Sequence, residues 1–371
     1  VLTSYDDFPV HQTSAPMAYS GTADPNHYDR YFFNGYSPDF DDQRVFFALA
    51  MGLYPNRHVC DAAFSVVTAE GQRSVFASQR APLDRRDATT VGPLRVEVLE
   101  PLHRLRITVD APEQSLRAEL TFTGRSPALE EPHFFLRAGT RPLFDYTRLT
   151  QFGHWEGWVE VGDRRIDVQP DRFVGCRDRS WGVRPVGEPA PTGAPVAAPQ
   201  FFWLWAPTNF VTRAAHFDVN EHGDGTRWHQ VGAVLADGAA PATLAQQVDW
   251  RISWRPGTRW ADAFEYEVID AAGRHSVSLR PQYEFQMRGL GYGHPRYTHG
   301  SWQGESMVDG ELLVLPVDTP CAREHLHVQA LCEATYTGPD GTVERGVGIL
   351  EQLAIGPHPS GLSGFFDAAE G

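Results

Sequence analysis

Hydrophobic and polar positions alternate with a period of two along much of the chain. Leu105-Arg106-Ile107-Thr108-Val109 and Leu116-Arg117-Ala118-Glu119-Leu120-Thr121-Phe122 are apolar at every second residue. Successive strand residues point to opposite faces, so both stretches predict strands with one face on a core and one in water. Val59–Thr68, the Glu70-Gly71 turn and Ser74–Ser78 predict a hairpin, and Trp155–Val161, Gly162-Asp163 and Arg164–Val168 predict another.

Strand patterns resume in the second half. They cover Phe201–Trp205, Arg213–Val219, Gln230–Leu235 and Asp249–Trp254. A third hairpin is expected from Ala263–Asp270 and Arg274–Arg280 about Ala271-Ala272-Gly273, and Glu311–Val317, Leu326–Tyr336 and Val343–Glu351 complete the series. Few windows carry a helical stripe. The pattern predicts a mainly β protein of two antiparallel β-barrel or sandwich domains in tandem. Residues 185–200, PVGEPAPTGAPVAAPQ, hold five prolines and cannot form a central strand. They place the boundary, giving domains at 1–190 and 191–371. The first 40 residues, rich in Tyr, Phe, Asp and Pro, read as an ordered but irregular arm. His154-Trp155-Glu156-Gly157 and Ser301-Trp302-Gln303-Gly304 echo each other and suggest two similar halves.

Composition narrows the chemistry. The 371 residues carry 32 basic and 47 acidic side chains, a net charge of −15, which argues against nucleic acid or an anionic membrane as the main partner. All 32 basic residues are Arg. Without lysine there is no Walker A lysine, no pyridoxal Schiff base and no kinase-type lysine. No stretch reaches the roughly 18 apolar residues of a spanning helix. The four cysteines, Cys60, Cys176, Cys321 and Cys332, form no CxxC pair. These features give the expectation of a cytoplasmic protein with no resident metal or organic cofactor, and they leave a homo-oligomer open.

The densest local signal is Gly175-Cys176-Arg177-Asp178-Arg179-Ser180-Trp181-Gly182-Val183-Arg184, with three arginines around one aspartate. It reads either as a pocket rim, with Asp178 moving a proton beside Trp181 and Arg179, or as a structural ion-pair knot. Burial would raise the pKa of Asp178 and the arginines would lower it. The segment resembles the Gly-x-Arg-Asp-(His)-Ser-Trp-Gly motif of an uncharacterised bacterial family that is similar to the carotenoid 1,2-hydratase-like superfamily. That resemblance implies two lipocalin-like domains in tandem. It also implies an acid at Asp178 that protonates an alkene, with Trp181 as the aromatic neighbour. Arg179 stands where that family usually carries histidine.

Other candidates lie in the C-terminal half. His294 and His299 sit in turn-like sequence and are candidate catalytic groups beside Asp178. His325 and His327, two apart, would share a strand face and are the pair to watch for a metal. Glu265 and Glu267 read as a solvated strand face. Gly289-Leu290-Gly291-Tyr292-Gly293 has GxGxG spacing and no βαβ context, so it is a loop and not a dinucleotide site. Tyr292, Trp203 and Trp302 are candidate ligand-binding aromatics, since seven of the 10 Trp fall beyond residue 200. Two functions follow. One is a cofactor-independent hydratase, isomerase or cyclase acting by general acid catalysis on a lipophilic, terpenoid- or steroid-like molecule. The other is a non-catalytic carrier of such a ligand.

Overall fold

A computed structural model describes residues 1–41, 43–186, 200–238, 240 and 242–370. Among them the chain forms two large sheets joined throughout by antiparallel pairings, with four short 3₁₀ turns and no α-helix. Among the described residues no helix is long and apolar enough to cross a membrane.

The first sheet has 14 strands, and its spine runs through His27–Tyr36, Val174–Val183 and Arg141–Val161. It curls until strands near its two ends share one core. Val75 and Ala77 pack in the same cluster as Leu94, Ile107 and Leu120, around Phe33, Phe47, Phe122 and Trp155. The second sheet has nine strands and its own core, built on Phe217, Phe264, Tyr266 and Tyr336. A third cluster lies between the sheets. It brings Phe32, Tyr36, Phe46, Phe152 and Cys176 against Trp205, Phe285, Leu331 and Ile349.

All three expected hairpins form, as Val59–Thr68 with Gly71–Arg80, Arg141–Val161 with Arg164–Val168, and Ala261–Asp270 with Gly273–Gln286. The expected irregular arm is only partly irregular. His27–Tyr36 is a central strand whose burial alternates before both faces close over. Its Asp, Arg and Asn masked the pattern, because these polar side chains are themselves used inside the protein. The Trp echo has no structural counterpart: Trp155 is fully buried, whereas Trp302 is 48% exposed in a loop. Most of the proline-rich tract, residues 187–199, lies outside the described residues. One strand crosses between halves. Ser306–Leu313 pairs with Gly71–Arg80 at the edge of the first sheet.

Candidate functional site

Directly opposed residues in antiparallel strands point to the same face. On the three spine strands, the face toward the second sheet therefore reads as a ladder of rows. Tyr28, Gly182 and Tyr146 form one row; Arg30, Ser180 and Arg148 the next. Phe32, Asp178 and Thr150 follow, then Asn34, Cys176 and Phe152. The Arg30 row extends across Gly52 to Asp61. Small residues thus separate the charged ones. Gly182 is needed for a second reason: its φ is +137°, and a Cβ would sit 2.3 Å from the Asp145 carbonyl oxygen.

Asp178 keeps partial accessibility although protein surrounds it, at the seam, or chamber, where this ladder meets the second sheet. Burial pushes its pKa up to about 6, against the pull of Arg148, Arg30 and Arg184, and the Glu351 carboxylate of the second sheet adds to the rise. Asp61 behaves alike. Burial raises it to about 6, although the Gly300 N–H donates to its Oδ2 at 2.7 Å and Arg30 and Arg184 lie near. His299 is held well below 6.5 by burial and by Arg30 and Arg184, and its Nε2 has no partner. It is a neutral imidazole at pH 7.

The second sheet closes the chamber with an ordered relay. Tyr292 N–H donates to His327 Nδ1 at 2.9 Å, which leaves the ring proton on Nε2, 2.6 Å from Glu351 Oε1. Gln329 Nε2 donates to Glu351 Oε2 at 2.6 Å, and Asn34 Nδ2 donates to Gln329 Oε1 at 3.2 Å. Asn34 Oδ1 accepts the Cys176 N–H at 2.9 Å, so the relay reaches the strand that carries Asp178. Beside it, a cavity of about 210 Å³ is lined by Phe144, Pro185, Phe201, Tyr292, Leu353 and Ile355 among others. Tyr292 faces both the cavity and the Arg184 guanidinium, 5.7 Å from its ring.

A second buried cluster adjoins the chamber through Arg148. Arg148 Nε and Nη2 donate to Glu131 Oε1 and Oε2 at 2.9 and 2.5 Å, and Nη2 also reaches Asp218 Oδ2. Thr150 donates to Glu131 at 2.6 Å and Trp203 Nε1 to Asp218 at 3.1 Å. Burial would raise the Glu131 pKa, but Arg148 and His216 outweigh it and hold the carboxyl well below the usual range. His229 is pushed down to about 3 by burial. Glu131, Asp218 and His229 offer three ligand atoms within 4.8 Å of one another, a set that would suit a divalent metal. The guanidinium of Arg148 already bridges its two carboxylates.

The structure gathers four of the sequence candidates around the chamber: Asp178, His299, Tyr292 and Trp203, whose ring is 5.8 Å from His327. Four others stand apart. Arg179 and Trp181 project from the opposite face of the strand, since one residue's shift inverts the side. Arg179 pairs with Asp29 and lies over the Tyr31 ring, and Trp181 is 40% exposed. Trp302 stacks under Arg80 at the surface. His294 is a buried fastener: its Nδ1 accepts the Arg296 and Tyr297 N–H groups, and its Nε2 lies 3.3 Å from Glu311. His325 and His327 do not share a strand face. His325 ends a 3₁₀ turn and contacts Gln286, whereas His327 is committed to Glu351.

Sequence reasoning missed Arg30, Asp61, Arg148, Glu351 and the Glu131–Asp218–His229 set, while Arg184 lay at the end of the segment singled out around Asp178. One signal was present. His216, Asp218 and Asn220 alternate with Phe217 and Val219 in a strand buried on both faces, so polar side chains there must meet other polar groups.

With this geometry in hand, comparison with known proteins gives a family and a fold. The profile of DUF8625, a family of unknown function, matches residues 2–365, and the chain belongs to that family. No curated protein matches the chain. Among solved structures, a protein of Nitrosomonas europaea assigned as AttH is 14% identical, with a TM-score of 0.54, over 93% of this chain and 98% of that one. Kievitone hydratase from Nectria haematococca is 10% identical, with a TM-score of 0.54, over 88% of each chain. Both share the fold with this protein.

Proposed function

We propose that this member of DUF8625 is a cofactor-independent hydratase, isomerase or cyclase for a lipophilic small molecule, with Asp178 as the general acid. One observation carries the reading. Asp178 presents a carboxyl raised to about 6, without a hydrogen-bond partner among the described residues, on the sheet face that meets the second sheet, whose hydrogen-bond relay runs to Tyr292 at the apolar cavity. A proton donor at neutral pH needs a pKa near the working pH and a water-poor site. The sharing of a fold with a protein named as a hydratase supports the same reading. It treats the two sheets as tandem lipocalin-like barrels with the site at their junction.

In the addition step, an alkene π pair takes the Asp178 proton and forms a C–H bond, leaving a cation at the adjacent carbon. Water attacks through a lone pair, and its extra proton returns to the carboxylate. Loss of a neighbouring proton to the carboxylate instead gives an isomer, and capture by a second alkene closes a ring whose new cation then loses a proton to the carboxylate. In this reading His299, neutral and unpartnered at Nε2, accepts a hydrogen bond from the attacking water. The test is a mass-detected turnover screen of lipophilic alkenols and enones with the wild type and Asp178→Asn. The reading expects a substrate that the wild type converts and Asp178→Asn converts roughly 10²–10⁴-fold more slowly. Equal turnover by the two proteins removes Asp178 as the acid. Binding without turnover by either favours the carrier function.

A further inference from the structure

Buried arginines of this protein are completed in different ways. Arg148 holds Glu131 and Asp218, and Arg125 holds Asp237 at 2.6 Å. Arg177 donates to Gln151, and Arg259 to the carbonyl oxygens of Gly356, Gly364 and Phe365. Two arginines that meet at the junction of the sheets have fewer partners. Arg30 is 7% exposed; its Nη2 donates to the Leu290 carbonyl oxygen, and its Nε is buried without a partner. Arg184 has both Nε and Nη2 buried without a partner, and its guanidinium lies over the rings of Tyr28 at 4.4 Å and Tyr292 at 5.7 Å. Neither forms a salt bridge among the described residues. Asp61 and Asp178 are close enough to feel both charges, yet neither closes a contact with them. A buried guanidinium with free donors costs several kcal/mol unless something completes it.

We infer that the chamber binds an amphiphilic anion, with an acidic oxygen head group (carboxylate, enolate or phenolate) on Arg30 and Arg184 and a lipophilic body in the cavity beside Tyr292. This inference rests on the proposed lipophilic site and names its substrate class. The guanidinium fork matches two oxygens or one strongly basic oxygen, and its weak hydration suits a site with few waters. The cavity is walled mainly by Phe144, Phe201, Leu353 and Ile355, which cover an apolar body, and Arg323 is the one charged residue of its lining. Tyr292 touches both regions, so head and body are accounted for by one continuous surface.

Two fluorescent probes with the same ring system separate charge from apolarity. 8-Anilinonaphthalene-1-sulfonate is anionic, and N-phenyl-1-naphthylamine is its neutral counterpart. The inference expects the anion to bind the wild type about 10-fold more tightly or better, a preference that shrinks with added NaCl. Arg184→Met is expected to remove that preference while changing the neutral probe's affinity by less than about 3-fold. Arg30→Met, followed in parallel with melting controls, should weaken the anion too, and the salt series on the wild type needs no variant. Equal affinity for the two probes, or an anion affinity that Arg184→Met leaves intact, overturns the anion site while the lipophilic reading stands. If neither probe binds the wild type, both fall.

Discussion

Asp61 and Arg30 stand in one cross-strand row with only Gly52 between them. The row puts a carboxyl raised to about 6 and an incompletely paired guanidinium on the same wall, with a hydrogen atom where a side chain would otherwise separate them. The same device recurs one strand on, where Ser180 lies between Arg30 and Arg148. Small residues thus alternate with charged ones across five strands, and over Gly52 the freed space is taken by the Tyr54 ring.

Gly52 is therefore a sensitive position. A Cβ there would lie 2.4 Å from Tyr54 Oη and 2.7 Å from its ring, and Tyr54 is fully buried and cannot swing away. Gly52→Ala is expected to destabilise the protein by about 1–3 kcal/mol through overpacking. Urea denaturation measures it, and an unchanged midpoint would show that the wall is looser than its contacts imply.

Asp178 gives a stability prediction with a definite sign. The unfolded chain holds it near 3.8 and the folded chain near 6. Between these values the folded protein binds more protons, so this group's contribution to stability falls as pH rises from about 4 to about 6, then stays level. The penalty above pH 7 is on the order of 3 kcal/mol. Asp178→Asn cannot ionise. At pH 7.5 it should be at least as stable as the wild type, with the difference fading toward pH 4. A loss of about 3–5 kcal/mol at pH 7.5 would instead identify Asp178 as half of a buried ion pair.

Glu351 tunes that acid from across the junction, because its charge opposes ionisation of Asp178. Glu351→Gln should lower the Asp178 pKa below about 6 while its amide oxygen still accepts from His327 Nε2. Gln329 would then face an amide nitrogen, at a cost of about 1–3 kcal/mol. Carboxyl ¹³C titration of Asp178 in the two proteins reads the shift directly. An Asp178 pKa that does not move would mean the two carboxyls are too far apart to interact.

Strand order of polarity made the β architecture and the three hairpins legible, because a two-residue period and a Gly turn are local signals. Of the residues named from the sequence, the fold brings Asp178, His299, Tyr292 and Trp203 to the junction of the sheets. Placing Arg179 and Trp181 beside Asp178 failed for one reason: neighbours in sequence are on opposite faces of a strand. Arg30 was hidden because it lies on the buried face of His27–Tyr36 while its neighbour Asp29 lies on the other, so with a charge on each face the stretch does not look amphipathic. Arg148, Asp218 and Glu351 meet only through pairings between distant strands, and no local spacing encodes such a meeting. A stretch with buried polar residues on a regular period is the one sequence cue that survives, as in His216-Phe217-Asp218-Val219-Asn220.

The Arg148 cluster makes the last prediction. Its guanidinium bridges Glu131 and Asp218, both fully buried at their side chains, so it holds the position a divalent cation would take. Arg148→Met keeps the side chain's apolar length and removes the charge. Two uncompensated carboxylates then remain inside the protein, and a loss of about 3–5 kcal/mol is expected. Those carboxylates and His229 would present three ligands within 4.8 Å of one another. Zinc should therefore raise the melting temperature of Arg148→Met in a concentration-dependent way, as binding to the folded state alone requires. The wild type, where Arg148 fills the same position, should not respond. Differential scanning calorimetry of both proteins with and without zinc decides the matter. A wild type stabilised as strongly as the variant would show that the guanidinium does not exclude a metal, and that the cluster is a metal centre in its own right.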